Sequence, residues 1–417
     1  MEIYFFLHNV NPNSDSIIYF TVKINSLDKL FKTTLNINAN DWDIENQRPK
    51  NIYKKKQKQI FRQLNAIRIN VNNILRDHFF NNNFDDIESL HSKIEQSILE
   101  AYSFDGNFEN DTLLYWMNKY IAQKSSSISN STIKRYNVFM NLVERFEGHL
   151  NERYLAKEAG NEYIDNLINY LQAETYSENT IYRTVEFIKT ILMFIEKRNI
   201  KTKINEIEYR KEISPKYIIT LSEDDLEKVK NTKLPISLQN AKDWLIISCQ
   251  TGQRISDFMR FNIEQLIDVR GRSCLLFFQQ KTGKQMILPL HPDIDKILKS
   301  RNNQFPPPMS KHLYNKQIKK IAQICGLNDV VAVRKRIGFR SKIQNVKKWE
   351  AISSHIGRRS FATNYYGQIP TPLLMLATGH STEKMFLRYT NPMDKGKVIA
   401  LADFFDKISN KKTDSFG

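Results

Sequence analysis

The chain has 417 residues, enough for two to four domains at about 100 to 200 residues each, and its 41% hydrophobic content can fill ordinary cores. Lys and Arg outnumber Asp and Glu by 62 to 45, leaving a formal charge of +17 that favours a polyanionic partner: nucleic acid first, with ribosomal or membrane-surface roles also compatible. A mean hydropathy of −0.50, no apolar run near the roughly 18 residues of a membrane span, and three scattered cysteines without a CxxC pair argue against a membrane protein, a disulfide framework or a zinc site. The expected compartment is a reducing cytoplasm, and the apolar start Ile3 to Leu7 is too short for a signal peptide.

The first fifty residues alternate β-prone runs with turn residues: Ile3 to Leu7, Asn11-Pro12-Asn13, Ile17 to Ile24, then Leu30 to Ile37. This predicts a small antiparallel sheet. After Arg48-Pro49-Lys50 a helix follows, with Ile60, Leu64, Ile67, Val71 and Ile74 at helical spacing behind Lys54-Lys55-Lys56. From Asp111 to Asn199 the pattern predicts a helical bundle. Its helices include Thr132 to Phe146 behind the cap candidates Ser129-Asn130-Ser131, Tyr163 to Leu171, and a stripe of Ile181, Val185, Ile188, Leu192 and Ile195. These stripes are core. Asn199 to Ser214 is charged and aperiodic, a solvated linker, and Ser222 with Asp225 three residues on is a variant capping box opening the last domain. There, Ser273 to Gln280 and Gln285 to Leu290 flank Lys281-Thr282-Gly283-Lys284 as a hairpin, placing Lys281 at a strand end.

The last domain holds every role that phosphoryl transfer on DNA requires: a nucleophile, donors for the non-bridging oxygens, and a proton source for the leaving oxygen. The candidates are Arg254 in Thr251-Gly252-Gln253-Arg254, Lys281, His355 and Arg358 in His355-Ile356-Gly357-Arg358, His380 after Gly379, and Tyr389 in Leu387-Arg388-Tyr389. Taken singly each has a plainer explanation. Tyr389 is one of 18 tyrosines, most of which pack; the arginines could be surface ion-pair residues; Lys281 could be a hairpin-tip charge, with Lys284 as its competitor; His355 could be an ordinary helix histidine. Arg359 is expected to face away from Arg358 as a backbone contact to DNA.

In order and spacing the set resembles the tyrosine recombinase (phage integrase) family, whose pattern is Arg, Lys, His-x-x-Arg, a His or Trp, then a nucleophilic Tyr. All six positions are filled. The resemblance covers about residues 215 to 400, and the preceding helices look like that family's core-binding domain. The N-terminal sheet, with Asp41-Trp42-Asp43 and Arg48-Pro49-Lys50, is similar to the arm-type domain of integrases from Bacteroides-like mobile elements. The implied architecture is multidomain, mainly α with small β-sheets. It comprises a sheet-plus-helix arm domain (1–104), a helical SAM-like core-binding domain (105–205) and an α+β catalytic domain (215–417).

The resemblance implies cleavage and rejoining of DNA through a 3′-phosphotyrosine at Tyr389, with no metal or nucleotide cofactor. Arg254 and Arg358 would clamp the phosphate, Lys281 would protonate the leaving 5′ oxygen, His355 would act as acid/base, and His380 would donate to a non-bridging oxygen. Asp257 would brace the His-x-x-Arg helix from behind. It further implies double-stranded DNA sites as partners, a tetramer on two sites, accessory DNA-bending or excision factors, and a terminal helix (Val398, Leu401, Ala402, Phe405, Ile408) docking on a neighbouring protomer. The rival readings are a DNA invertase or dimer-resolution recombinase, a type IB topoisomerase-like enzyme, and an inactive DNA-binding protein.

Overall fold

A computed structural model describes residues 3–8, 10, 14–24, 27–80, 87–102, 108–210, 217–337, 340–390 and 402. The chain divides into two compact units, Met1–Ser214 and Pro215–Gly417. The Asn11-Pro12-Asn13 turn and the tail residues Val398, Leu401, Phe405 and Ile408 lie outside the described residues.

The first unit begins with strands β1 (Ile3–Leu7), β2 (Asp15–Ile24) and β3 (Leu27–Asn38), an antiparallel sheet in that order, followed by the short pair β4 (Trp42–Asp43) and β5 (Arg48–Pro49). Register follows the apolar alternation: Phe5 pairs with Phe20 and Phe20 with Phe31, so all three rings fall on one face and are buried. That face packs on helix α1 (Lys55–Phe80), whose Ile60, Leu64, Ile67 and Val71 form the expected stripe, and on α2 (Ile87–Tyr102) through Leu90 and Ile94. Four helices complete the unit: α3 (Leu113–Lys124), α4 (Asn130–Leu150), α5 (Asn161–Ala173) and α6 (Glu178–Glu196). Ser129 caps α4, and the predicted α6 stripe from Ile181 to Ile195 is fully buried.

Helix α1 lies against α4 through charges as well as close approach of a side chain to a glycine. Arg62 donates two parallel hydrogen bonds to the buried Glu144 (2.7 and 2.9 Å), Arg76 pairs with Glu152 (2.8 Å), and Arg48 pairs with Glu174 after α5 (2.8 Å). Gly148 of α4 faces Asn65 of α1 so closely that a Cβ would sit 2.6 Å from the Asn65 amide nitrogen. One residue earlier, Glu147 is sealed from solvent, with Arg153 and Tyr163 as partners; burial pushes its pKa up to about 7 against the pull of Arg153.

The second unit starts with α7 (Glu223–Asn231), capped reciprocally by Ser222 and Asp225, then α8 (Ile236–Thr251) and the four-residue α9 (Ile255–Phe258). An antiparallel sheet follows, β6 (Leu266–Val269), β7 (Arg272–Phe278) and β8 (Gln285–Pro289), then α10 (Pro292–Ser300) and α11 (Lys311–Ile324). A second hairpin, β9 (Val330–Ile337) and β10 (Arg340–Lys347), is rich in Arg and Lys and carries little alternation in the sequence. Then come α12 (Lys348–Ala351), α13 (Ile356–Tyr365), α14 (Thr371–Thr378) and α15 (Glu383–Phe386). Helix α8 is buried on nearly every side, including Trp244, Leu245 and Ile247. Among the described residues no helix is long and apolar enough to cross a membrane.

Helices α8 and α13 approach to backbone distance. Gly357 on α13 sits against Ser248, where a Cβ would fall 2.7 Å from the Ser248 carbonyl carbon. Gly357→Ala should therefore force the two helices apart and destabilise this unit by roughly 1–3 kcal/mol, the usual cost of overpacking. The check is a lower unfolding midpoint in urea; an unchanged midpoint would show that the helices can slide without loss.

Candidate active site

The candidate site is assembled at the ends of α8 and α14. Helix α8 stops at Gly252, whose backbone is left-handed (φ +66) and which has no room for a side chain, since a Cβ would meet the Phe361 ring of α13 at 2.6 Å. The turn delivers Gln253 inward and Arg254 to the cap of α9. Helix α14 stops at Gly379 (φ +74), which turns His380 inward. The carbonyls left over at these two helix ends converge on one guanidinium. Arg358 Nη1 donates to the Gly252 carbonyl (3.0 Å) and Nη2 to the Thr378 carbonyl (2.8 Å).

Arg358 is fully buried, and no carboxylate forms an ion pair with it among the described residues. Burial, then the charge of Arg254, pull its pKa down to about 10, a value that leaves it cationic at neutral pH. Its Nη2 also meets His380 Nε2 at 2.9 Å. Arginine has no acceptor, so Nε2 must accept and the imidazole proton must sit on Nδ1, which contacts Thr378 Oγ1 at 2.8 Å. The Thr378 hydroxyl spends its own proton on the Leu374 carbonyl (2.7 Å), which leaves its lone pairs for His380. The Tyr389 ring closes this assembly, its centroid 5.1 Å from the Arg358 carbon and 4.9 Å from the His380 ring centre.

Two buried glutamines join the pieces. Gln253 donates to the Thr251 and Ala377 carbonyls (2.9 and 2.7 Å), and its oxygen accepts from Gln279 Nε2 (3.1 Å). Gln279 also donates to the Thr378 carbonyl (3.2 Å) and accepts from Arg254 Nη1 (3.3 Å) and the Thr282 hydroxyl (2.9 Å). Neither glutamine was among the expected residues. Strand parity marks Gln279, since Phe277 faces in, Phe278 is 61% exposed, and the next inward position is a polar one.

The expected residues fall into place unevenly. Arg254, Arg358, His380 and Tyr389 are brought together. His355, at the cap of α13, is exposed toward the same cluster; partial desolvation, then Arg359, Lys311, Arg358 and Arg254, lower its pKa. Arg359 does not face away: it is half-buried and interacts with Tyr389, because the Leu387–Tyr389 turn folds back over the start of α13. Asp257 is buried 3.9 Å from Arg254, and its carboxylate accepts from the Gln280 backbone N–H (2.9 Å), so it pins the hairpin loop rather than hydrogen-bonding to α13. Lys281 lies outside the cluster's hydrogen bonds, exposed in the turn. Strand β7 ends at Phe278 instead of reaching Gln280, because Gln279 turns inward and closes a six-residue loop through Gln279 N–H to Lys284 O (2.9 Å).

Against known proteins, a family model described as the phage integrase family matches residues 221–395, a phage integrase SAM-like domain matches 112–206, and an arm DNA-binding domain matches 5–90. The chain belongs to the phage integrase family of tyrosine recombinases. Solved structures with a similar fold include XerH site-specific recombinase bound to palindromic difH substrate (16% identity, 72% of this chain and 99% of that one, TM-score 0.52). Others are a lambda integrase fragment dimer bound to a COC′ core site (17%, 68% and 96%, TM-score 0.51) and the Tn1549 transposon integrase with a circular intermediate DNA (15%, 70% and 99%, TM-score 0.50). No curated protein matches the chain.

Burial and the two arginines push the pKa of His380 from 6.5 down to about 3. Between those values an unfolded chain takes up a proton that the folded recombinase refuses, so this group removes stability as pH falls through that window. The His380 ring resonances should stay in the neutral Nδ1–H form from pH 8 down to pH 5 by NMR. A protonation midpoint between 5.5 and 7.5 would contradict the assigned network.

Proposed function

We propose that this integrase-family recombinase cleaves DNA through attack of the Tyr389 hydroxyl on a scissile phosphate. The phosphorus–O5′ bond breaks as the phosphorus–Tyr389 bond forms, leaving a 3′-phosphotyrosine and a 5′ hydroxyl. A partner strand's 5′ hydroxyl then attacks the phosphotyrosine and releases Tyr389, so the energy of the phosphodiester is conserved. The observation that carries this reading is Tyr389 closing over Arg358, with Arg254 in the same electropositive pocket.

Each group has a chemical task in that scheme. Arg254 presents its planar fork to the phosphate oxygens, held by Gln279 and Asp257, and Arg358 supplies fixed positive charge beneath the nucleophile. His355, exposed beside four cations, stays neutral at pH 7 and is suited to take the Tyr389 proton. His380 acts on the guanidinium, because both ring nitrogens are engaged by Thr378 and Arg358; donating to a phosphate oxygen would require the proton on Nε2 and a turn of Arg358. Lys281 stands on the hairpin loop as general acid for the leaving 5′ oxygen, reaching the site when the loop closes over DNA.

A nicked substrate in EDTA should trap a covalent adduct with the wild-type protein and none with Tyr389→Phe. Lys281→Ala should slow cleavage by about 10²–10⁴-fold, the range for a lost general acid, and recover on a substrate with a bridging 5′ sulfur, which leaves without protonation. Arg254→Ala should not recover. Adduct formation by Tyr389→Phe would remove the nucleophile assignment, and unrecovered Lys281→Ala would remove that of the acid.

Integration or excision of a mobile element is the biological outcome favoured by the arm-domain match at 5–90, since that module would bind DNA beside the crossover sites. Inversion, dimer resolution and monomeric relaxation need no such module. The catalytic unit also carries an apolar groove of about 430 Å³ lined by Ile287, Leu288, Phe361, Leu373 and Leu376, with Leu373 and Leu376 more than half exposed. We assign it to the apolar tail of a second copy, giving an oligomer on DNA. Leu376→Glu should abolish synapsis of two sites in a gel-shift assay while single-site binding persists; full synapsis would reject this contact.

A further inference from the structure

The unit Met1–Ser214 contains a cleft of about 580 Å³ between α1 and the α4–α5 pair, apart from any residue used in recombination chemistry above. Its cationic lining is Arg48, Arg68 and Arg145, beside His149, whose pKa is lowered by burial and then by Arg68. Arg48 is paired with Glu174, but neither Arg68 nor Arg145 joins an ion pair among the described residues. Arg68 rests on the Phe5 ring (4.9 Å) and donates to the Gln47 carbonyl at 3.3 Å. Burial, then the charge of Arg48, draw its pKa down to about 10, so it is a desolvated cation beside a second one.

A second observation is independent of charge. Asn65 lines the same cleft, is 1% exposed, and has neither amide atom hydrogen-bonded in a protein where buried polar groups are otherwise partnered with few exceptions. Its donor and acceptor lie side by side, the pattern that reads a heterocycle edge. Phe61, Phe146 and Tyr170 add aromatic surface, and Asn166 and Asn169 add further amides.

We propose that this cleft binds a nucleoside 5′-phosphate, with the phosphate on the Arg68 and Arg145 forks and the base edge on Asn65. Planar guanidinium groups match phosphate oxygens in pairs. The buried floor favours a small ligand over a duplex, which is too broad to bring a base edge down to Asn65. Because one wall is α1 and the other α4 and α5, the ligand binds only the docked arrangement of the arm and core-binding modules and stabilises it by linkage.

The test is calorimetric titration of the full-length protein at fixed ionic strength with adenosine 5′-monophosphate, adenosine and inorganic phosphate. Adenosine monophosphate should bind with a submillimolar Kd, at least ten-fold tighter than either fragment. Arg68→Lys and Asn65→Ala should each weaken it at least ten-fold. Arg145→Gln, at a half-buried position, should do the same if the other variants fail to keep wild-type circular dichroism. Absence of binding, equal binding of adenosine or phosphate, or wild-type affinity in folded variants would overturn the proposal. Stoichiometric displacement by a random-sequence duplex would also overturn it, assigning the cleft to DNA contact.

Discussion

A guanidinium buried without a counter-ion organises the catalytic unit. Arg358 has no ion-pairing carboxylate among the described residues and is held instead by the carbonyls of Gly252 and Thr378 and by the His380 ring nitrogen. Taking such a charge out of water is tolerated only when its donors are nearly all satisfied, and loss of a buried charge's partners costs about 3–5 kcal/mol. The surrounding structure meets that demand at both terminal nitrogens and leaves the buried Nε without a hydrogen-bond partner. Two left-handed glycines end α8 and α14 at the positions where their free carbonyls can converge, and Gly357 lets α13 carry Arg358 close enough to receive them.

Other features of the site follow from that placement. Burial, then the positive field of Arg358 and Arg254, keeps His380 neutral, and neutrality is what allows its Nε2 to accept from Arg358. Tyr389 lies over the same guanidinium, so the charge that would stabilise a phenolate is already in place before DNA arrives. In the proposed cleavage this charge would act as electrostatic preorganisation around the nucleophile. The Gln253–Gln279 pair extends the hydrogen-bonded shell to Arg254 and to the base of the hairpin loop that carries Lys281.

The N-terminal unit uses charge differently. Its modules meet through ion pairs, Arg62 with Glu144 and Arg76 with Glu152, and through the close approach of Gly148 to Asn65. Such a contact leaves polar groups and a cleft at the junction, whereas the sheet–α1 and α3–α6 cores close on aromatic and aliphatic side chains. It is also a contact that ionic strength or a bound anion can shift.

Sequence alone determined the family pattern and the amphipathic helices α1, α4, α5 and α6. The ordered set from Arg254 to Tyr389 is a linear signal, and stripes such as Ile181 to Ile195 follow from helical period, which is local physics. The β9–β10 hairpin escaped it, because cationic residues on a two-stranded ribbon leave no alternation to detect. Tertiary structure alone decided that Arg359 turns toward Tyr389, that Asp257 holds the hairpin loop, and that Lys281 sits in a turn beyond an inward Gln279. It also decided the direction of the His380–Arg358 hydrogen bond. These depend on which helix ends meet and which carbonyls they leave unpaired, and contacts between residues more than a hundred positions apart, such as Arg358 with Gly252, have no period to read.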